Sequence, residues 1–289
     1  MTKLSEHSIN VNVALWWSLG FSFVFVGLIW LTGELWLNPP PFAEEQKGAI
    51  LPGMWYLWQL AEPSVWTRAS VWGMYTLHQI SIWYLIWRAQ TSDYQYSSNL
   101  HWFNIAALAA NAFFIALHLL QTHLWYDGIA GDTPEVTSQA SLVIVLVAIL
   151  IMENQRRGIF FGKKMPLSQD AVHAIRKYHG YYFSWAIIYV FWYHPMEITG
   201  GHLLGFLYMF LLLLQGSLFF TRMHVNPRWT IFSEASVVLH GVVVAILAAE
   251  EWPRFFGGFL GVFVITQMHG LGLSKRTRWI ISLLYIASL

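Results

Sequence analysis

The sequence predicts an all-α, polytopic transmembrane helical bundle of about eight spans, with a cytoplasmic N-terminus, and three observations predict it. The 289 residues are 56% hydrophobic and only 11% charged, whereas soluble domains carry about 25% charged residues. The apolar residues gather into runs close to the ~20 residues a helix needs to cross a ~30 Å hydrocarbon core. The basic residues fall mostly at alternate ends of those runs. No polar stretch is long enough to fold alone, so the expectation is one integral membrane domain over 1–289.

The first run, 13–37, is too long for a signal-peptide core and lacks a small-residue cleavage pattern, so it reads as a span. A loop over 38–64, "NPPPFAEEQKGAILPGMWYLWQLAEPS", follows. Its prolines cannot lie inside a helix, and its Trp and Tyr residues suit a membrane interface. The second run, 66–90, carries Arg68, His78 and Gln79 and suits a helix packed among others. Runs at 100–126 and 136–155 come next. The basic loop 156–177 ends in "SQDAVHAIRK", which predicts a short surface helix with Ser168 as its cap. Further runs lie at 178–195, 200–222, 229–251 and 255–273. Between the fifth and sixth, Pro195 ends one helix and Gly200 and Gly201 permit a sharp turn into the next. A last run, 279–289, is too short to cross unaided and makes either an interfacial tail or a short ninth span.

With eight spans, one side receives Lys3, Arg88, Arg156, Arg157, Lys163, Lys164, Arg176, Lys177, Arg222, Arg228, Lys275, Arg276 and Arg278, and the other only Lys47, Arg68 and Arg254. This bias places the first side, with the N-terminus and the 156–177 loop, in the cytoplasm and the 38–64 loop outside it. Most carboxylates, among them Asp127, Asp132 and Glu197, fall on the outer side.

Ionisable residues within lipid usually face the bundle interior. In the third run Asn104, Asn111 and His118 recur at seven-residue steps, and Gln121 and Thr122 continue the stripe. His123 lies about 140° round from His118 at ~100° per residue. In the seventh run Ser233, Ser236 and His240 share a face. His179 and His194 are about 22 Å apart along one helix. The histidines thus form an outer layer (His123, His194, His202), an inner layer (His179, His224, His269) and a sparse middle (His78, His240), with His118 between middle and outside.

With no cysteine in the chain, disulfides, zinc–thiolate sites and iron–sulfur ligation are excluded. There is no GxGxxG, P-loop or nucleophile elbow, and nothing points to nucleic acid. Histidine layers on adjacent helices suit one or two b-type haems held by axial imidazoles. The candidate ligands for haem b are His118, His179, His194, His202 and His240, in a membrane redox protein served by a redox partner or seated in a larger membrane complex. The competing reading is a non-haem iron, copper or zinc oxidoreductase acting on a lipophilic substrate, with His118, His123, His194, Glu197 and His202 as ligands. A third reading is a non-enzymatic transporter or assembly subunit, since histidine and carboxylate chains also relay protons. Any one of these histidines could equally be a packing or headgroup contact. Their number and layering favour a site.

Overall fold

The computed structural model describes residues 9–38, 60, 62–247 and 252–287. Among these the chain is helical without strands. The helices are α1 (Val11–Trp36), α2 (Val65–Gln90), α3 (Trp102–Trp125), α4 (Glu135–Arg157), α5 (Gln169–Tyr193), α6 (Gly200–Ser217), α7 (Pro227–Leu247), α8 (Trp252–Ile265) and α9 (Lys275–Ala287), with 3₁₀ turns at Ile129–Gly131 and Gln267–Gly270. Four stretches, Val11–Trp36, Trp102–Trp125, Val136–Arg157 and Gly200–Ser217, are both long and apolar enough to cross a membrane.

Each apolar run coincides with one helix, and the differences lie at the ends. The surface helix expected over 168–177 is not separate: α5 starts at Gln169 and continues unbroken to Tyr193. Ser168 still stands at its start, its hydroxyl accepting from the Ala171 N–H at 3.5 Å. The eighth run ends early, at Ile265, and closes in a 3₁₀ turn. Most of the 38–64 loop lies outside the described residues.

The described helices pack as two compact units, with the boundaries falling inside α4 and α5. The first comprises residues up to 141 together with 183–225, and the second comprises 142–182 together with 226 onward. In the first, Asn10 and Ser64 cap α1 and α2, accepting from Asn12 N–H at 2.9 Å and Thr67 N–H at 3.2 Å. One stripe of α1 is buried, with Phe25 edge-on to Phe210 of α6 at 5.9 Å and Ile29 fully enclosed. The opposite stripe leaves Trp16, Trp17, Val24 and Trp30 more than half exposed. An apolar face of that size is a liability in water and suits acyl chains.

The polar stripe of α3 binds α6 and the segment that follows it. Asn104 Nδ2 donates to the carbonyls of Ser217 and Phe219, both at 2.8 Å. Asn111 Nδ2 donates to Ser217 Oγ at 2.8 Å. Those carbonyls are among the groups a helix end leaves without partners, so the two asparagines serve as helix–helix ties. In the second unit α8 packs on α7 and on α9, and Arg157 and Glu234 form a buried ion pair at 2.9 Å.

Two glycines mark close backbone approaches in the first unit. A Cβ on Gly33 of α1 would overlap the Ile198 side chain, and one on Gly128 would overlap the Tyr193 carbonyl. The first obstacle is a side chain that can move; the second is backbone. Gly128→Ala is therefore expected to destabilise the fold by about 1–3 kcal/mol, as overpacking does. A thermal melt in detergent should show this loss, with a smaller one for Gly33→Ala.

Candidate functional site

The buried polar groups of the first unit concentrate where the end of α3 meets the turn between α5 and α6. Tyr126 ends α3 in the left-handed region, φ +39°, and its N–H donates to Thr122 O at 3.0 Å. This cap aims the phenol at Glu197, whose Oε1 accepts a hydrogen bond from it. Glu197 is only 3% exposed and has no basic partner within ion-pair distance among the described residues. Burial raises its carboxyl above the ordinary carboxylate range, while the Tyr126 hydroxyl and the Ile198 N–H pull it back.

His118 is completely buried. Its Nε2 donates to the His194 carbonyl at 2.8 Å, and its Nδ1 lies 3.2 Å from Gln121 Oε1. Gln121 in turn donates to the Asp127 carbonyl at 3.2 Å. The ring packs against Trp192, with centroids 4.3 Å apart. Thr122 Oγ1 accepts from the Met196 N–H at 2.9 Å. Successive turns of α3 thus hold the backbone of the α5–α6 connection at two points.

A second layer sits two turns away. His78 on α2 donates from Nε2 to Asn111 Oδ1 at 2.7 Å, and its Nδ1 accepts from Trp192 Nε1–H at 3.2 Å. Those two bonds specify the neutral Nε2–H tautomer. Both nitrogens are engaged, so His78 acts as a tie between helices.

Below Gln121 lies an ion cluster. The Arg68 guanidinium binds Asp127 Oδ1 at 2.6 Å and the Gly128 carbonyl at 3.0 Å, and its remaining N–H groups reach Asp132. The Asp127 side chain is 1% exposed. Burial pushes its carboxyl upward against the opposing pull of Arg68 and the Gly128 N–H.

Of the predicted site residues, five lie in this unit. His194 and His202 flank the α5–α6 turn, with ring centroids 5.4 Å apart and ring planes 82° apart. Thr199 Oγ1 caps α6 and lies 2.7 Å from His202 Nδ1, fixing that ring. Glu197 belongs to the same turn. His118 braces it through hydrogen bonds. His123 donates from Nδ1 to Leu119 O in its own helix at 2.8 Å, and its buried Nε2 has no hydrogen-bond partner among the described residues. His179 and His240 belong to the second unit, where His179 Nδ1 donates to Arg176 O at 2.7 Å and His240 is half-buried on α7. Among the described residues, no three His, Asp or Glu side chains converge on a single ion position. Pattern reading does not find Tyr126, Thr199 or Trp192, whose roles depend on the turn. Arg68 carried a signal, since a cation in an apolar run demands an anionic partner, but its pairing with Asp127 and Asp132 was not predicted.

No protein-family model matches this chain, and no curated protein or solved structure matches it either.

The Tyr126–Glu197 contact predicts a pH signature. A carboxyl with a raised folded-state pKa supports the fold fully below its unfolded value and loses that support as pH climbs through the folded value. Tyr126→Phe leaves the buried carboxyl without its donor, so the variant should lose about 1–3 kcal/mol where that carboxyl is ionised. Most of that deficit should vanish below the ordinary carboxylate range, where Glu197 is protonated in both states. Thermal melts across that interval check it.

Proposed function

We propose that this chain is a multi-pass membrane oxidoreductase, of about eight spans with a cytoplasmic N-terminus, that holds a non-haem iron or copper ion through His194 and His202. The observation that carries this reading is the spacing of the two imidazoles. Two imidazoles on neighbouring positions of one ion, each with a metal–nitrogen distance of about 2.0–2.1 Å, have ring centroids about 5 Å apart. Axial ligands on opposite faces of a haem iron would lie about 6 Å apart, with room for a porphyrin between them. The 5.4 Å separation favours the first arrangement. Imidazole suits both iron and copper.

Catalytic metal sites ordinarily keep three protein ligands and one open position; here two imidazoles would be supplemented by water and substrate. Thr199 and His118 act as supports: one orients the His202 ring, and the other holds the carbonyl of His194. Supports of this kind change metal affinity by about 10–100-fold when removed. The apolar exterior points to a lipophilic substrate arriving from the bilayer, with electrons supplied by a membrane redox partner.

Protein purified from membranes should contain close to stoichiometric iron or copper. His194→Ala and His202→Ala should each lose it while the thermal melt stays cooperative. Retention in both variants would overturn the assignment. A Soret band with α and β bands on reduction would replace it with b-type haem, and a protein devoid of both would point to a transporter or assembly subunit. The topology is tested separately: the charge bias predicts that a reporter fused at Lys47 reads as extracytoplasmic, and a cytoplasmic signal there would overturn the span order.

A further inference from the structure

We propose that the turn over residues 159–165, "IFFGKKM", is an anionic-phospholipid docking element that seats two phenyl rings in the headgroup region and two lysines on lipid phosphates. The turn belongs to the second unit, so the proposal is independent of the metal reading. It rests only on this being a membrane protein.

The turn is tight and braced. Lys163 N–H donates to Phe160 O at 2.8 Å and Ile159 N–H to Lys163 O at 3.1 Å. Phe161 and Gly162 have φ of +48° and +77°, the type I′ pattern whose first position favours Asn, Asp or Gly. A phenylalanine there is strained. Three anchors hold it: Phe161 N–H donates to Ile265 O at 2.8 Å; buried Asn154 pairs in both directions with the Met165 backbone, at 2.8 and 2.9 Å; and Gly162 rests on His269, where a Cβ would come within 3.0 Å of Nδ1.

These anchors present apolar surface outward. Phe160 and Phe161 are 57% and 50% exposed, edge to face at 4.8 Å. Lys163 and Lys164 are exposed beside them, and among the described residues neither forms an ion pair. The nearby acids are engaged, Glu153 by Arg156 and Glu234 by Arg157. Position selects the occupant. The turn begins directly after Val136–Arg157, a stretch apolar and long enough to cross a bilayer, so it emerges at the level of the headgroups. Aromatic rings are favoured there, and lysines beside an anionic leaflet add attraction that salt screens. A strained, rigid turn has already met the ordering cost that a flexible loop would meet on docking.

The absence of cysteine makes Phe160→Cys a unique labelling site in the full-length chain. A polarity-sensitive fluorophore placed there would be followed in vesicles of phosphatidylcholine alone and of phosphatidylcholine mixed with phosphatidylglycerol. The expected result is quenching by acyl-brominated lipid and shielding from aqueous iodide, both stronger in the mixed vesicles. Lys163→Gln and Lys164→Gln should each weaken the phosphatidylglycerol-dependent part about fivefold. Labelling at Lys164→Cys, with Phe160 intact, gives a second reading that does not perturb the rings. Equal iodide access in both vesicle types from both label positions would overturn the proposal. Shielding seen only in native membranes would also overturn it, and would assign the turn to a protein partner.

Discussion

The first unit depends on one constraint: a polar group enclosed by apolar helices must find its partner inside the protein. Arg68 is the strictest instance. Its guanidinium cannot be neutralised, and losing one member of a buried ion pair costs about 3–5 kcal/mol. It therefore fixes Asp127, Gly128 and Asp132 against the start of α2. That placement brings Gly128 against the backbone at the end of α5. The same requirement makes Gln121, Thr122 and His118 reach the α5–α6 connection, and makes Asn104 and Asn111 satisfy the end of α6.

The consequence is a short turn whose backbone is held from one side by α3 and whose flanking imidazoles stand close together. A turn between two helices is ordinarily among the more mobile parts of a fold. Here His118, Thr122, Tyr126 and Thr199 each restrain a different atom of it. Restraint of that kind is what a metal site needs, because ligand geometry loosens quickly when its supports are missing. Hydrogen bonding thus builds the bundle and pre-organises the proposed centre with the same residues.

The all-helical class and most helix limits among the described residues were legible in the sequence, because apolar run length acts locally. The continuity of α5 through 168–177 was not. The polar content of "SQDAVHAIRK" suggested a separate surface piece, yet no helix breaker interrupts the chain from Gln169 to Tyr193. The α3 stripe was readable from its seven-residue spacing, and the proximity of His194 and His202 followed from "PMEITGG". What spacing cannot reveal is occupancy of individual nitrogens. His118 looked like a ligand by depth and face, but its ring nitrogens meet the His194 carbonyl and Gln121. Tyr126 carried no visible signal, because its reach to Glu197 depends on a left-handed cap at the end of α3.

The central claim is that His194 and His202 bind one ion side by side. X-ray absorption at the edge of the metal in the protein as purified addresses it most directly. The expected result is a nitrogen and oxygen shell near 2.0–2.1 Å with multiple scattering from about two imidazoles. A porphyrin scattering pattern, or a metal shell with no imidazole contribution, would contradict it.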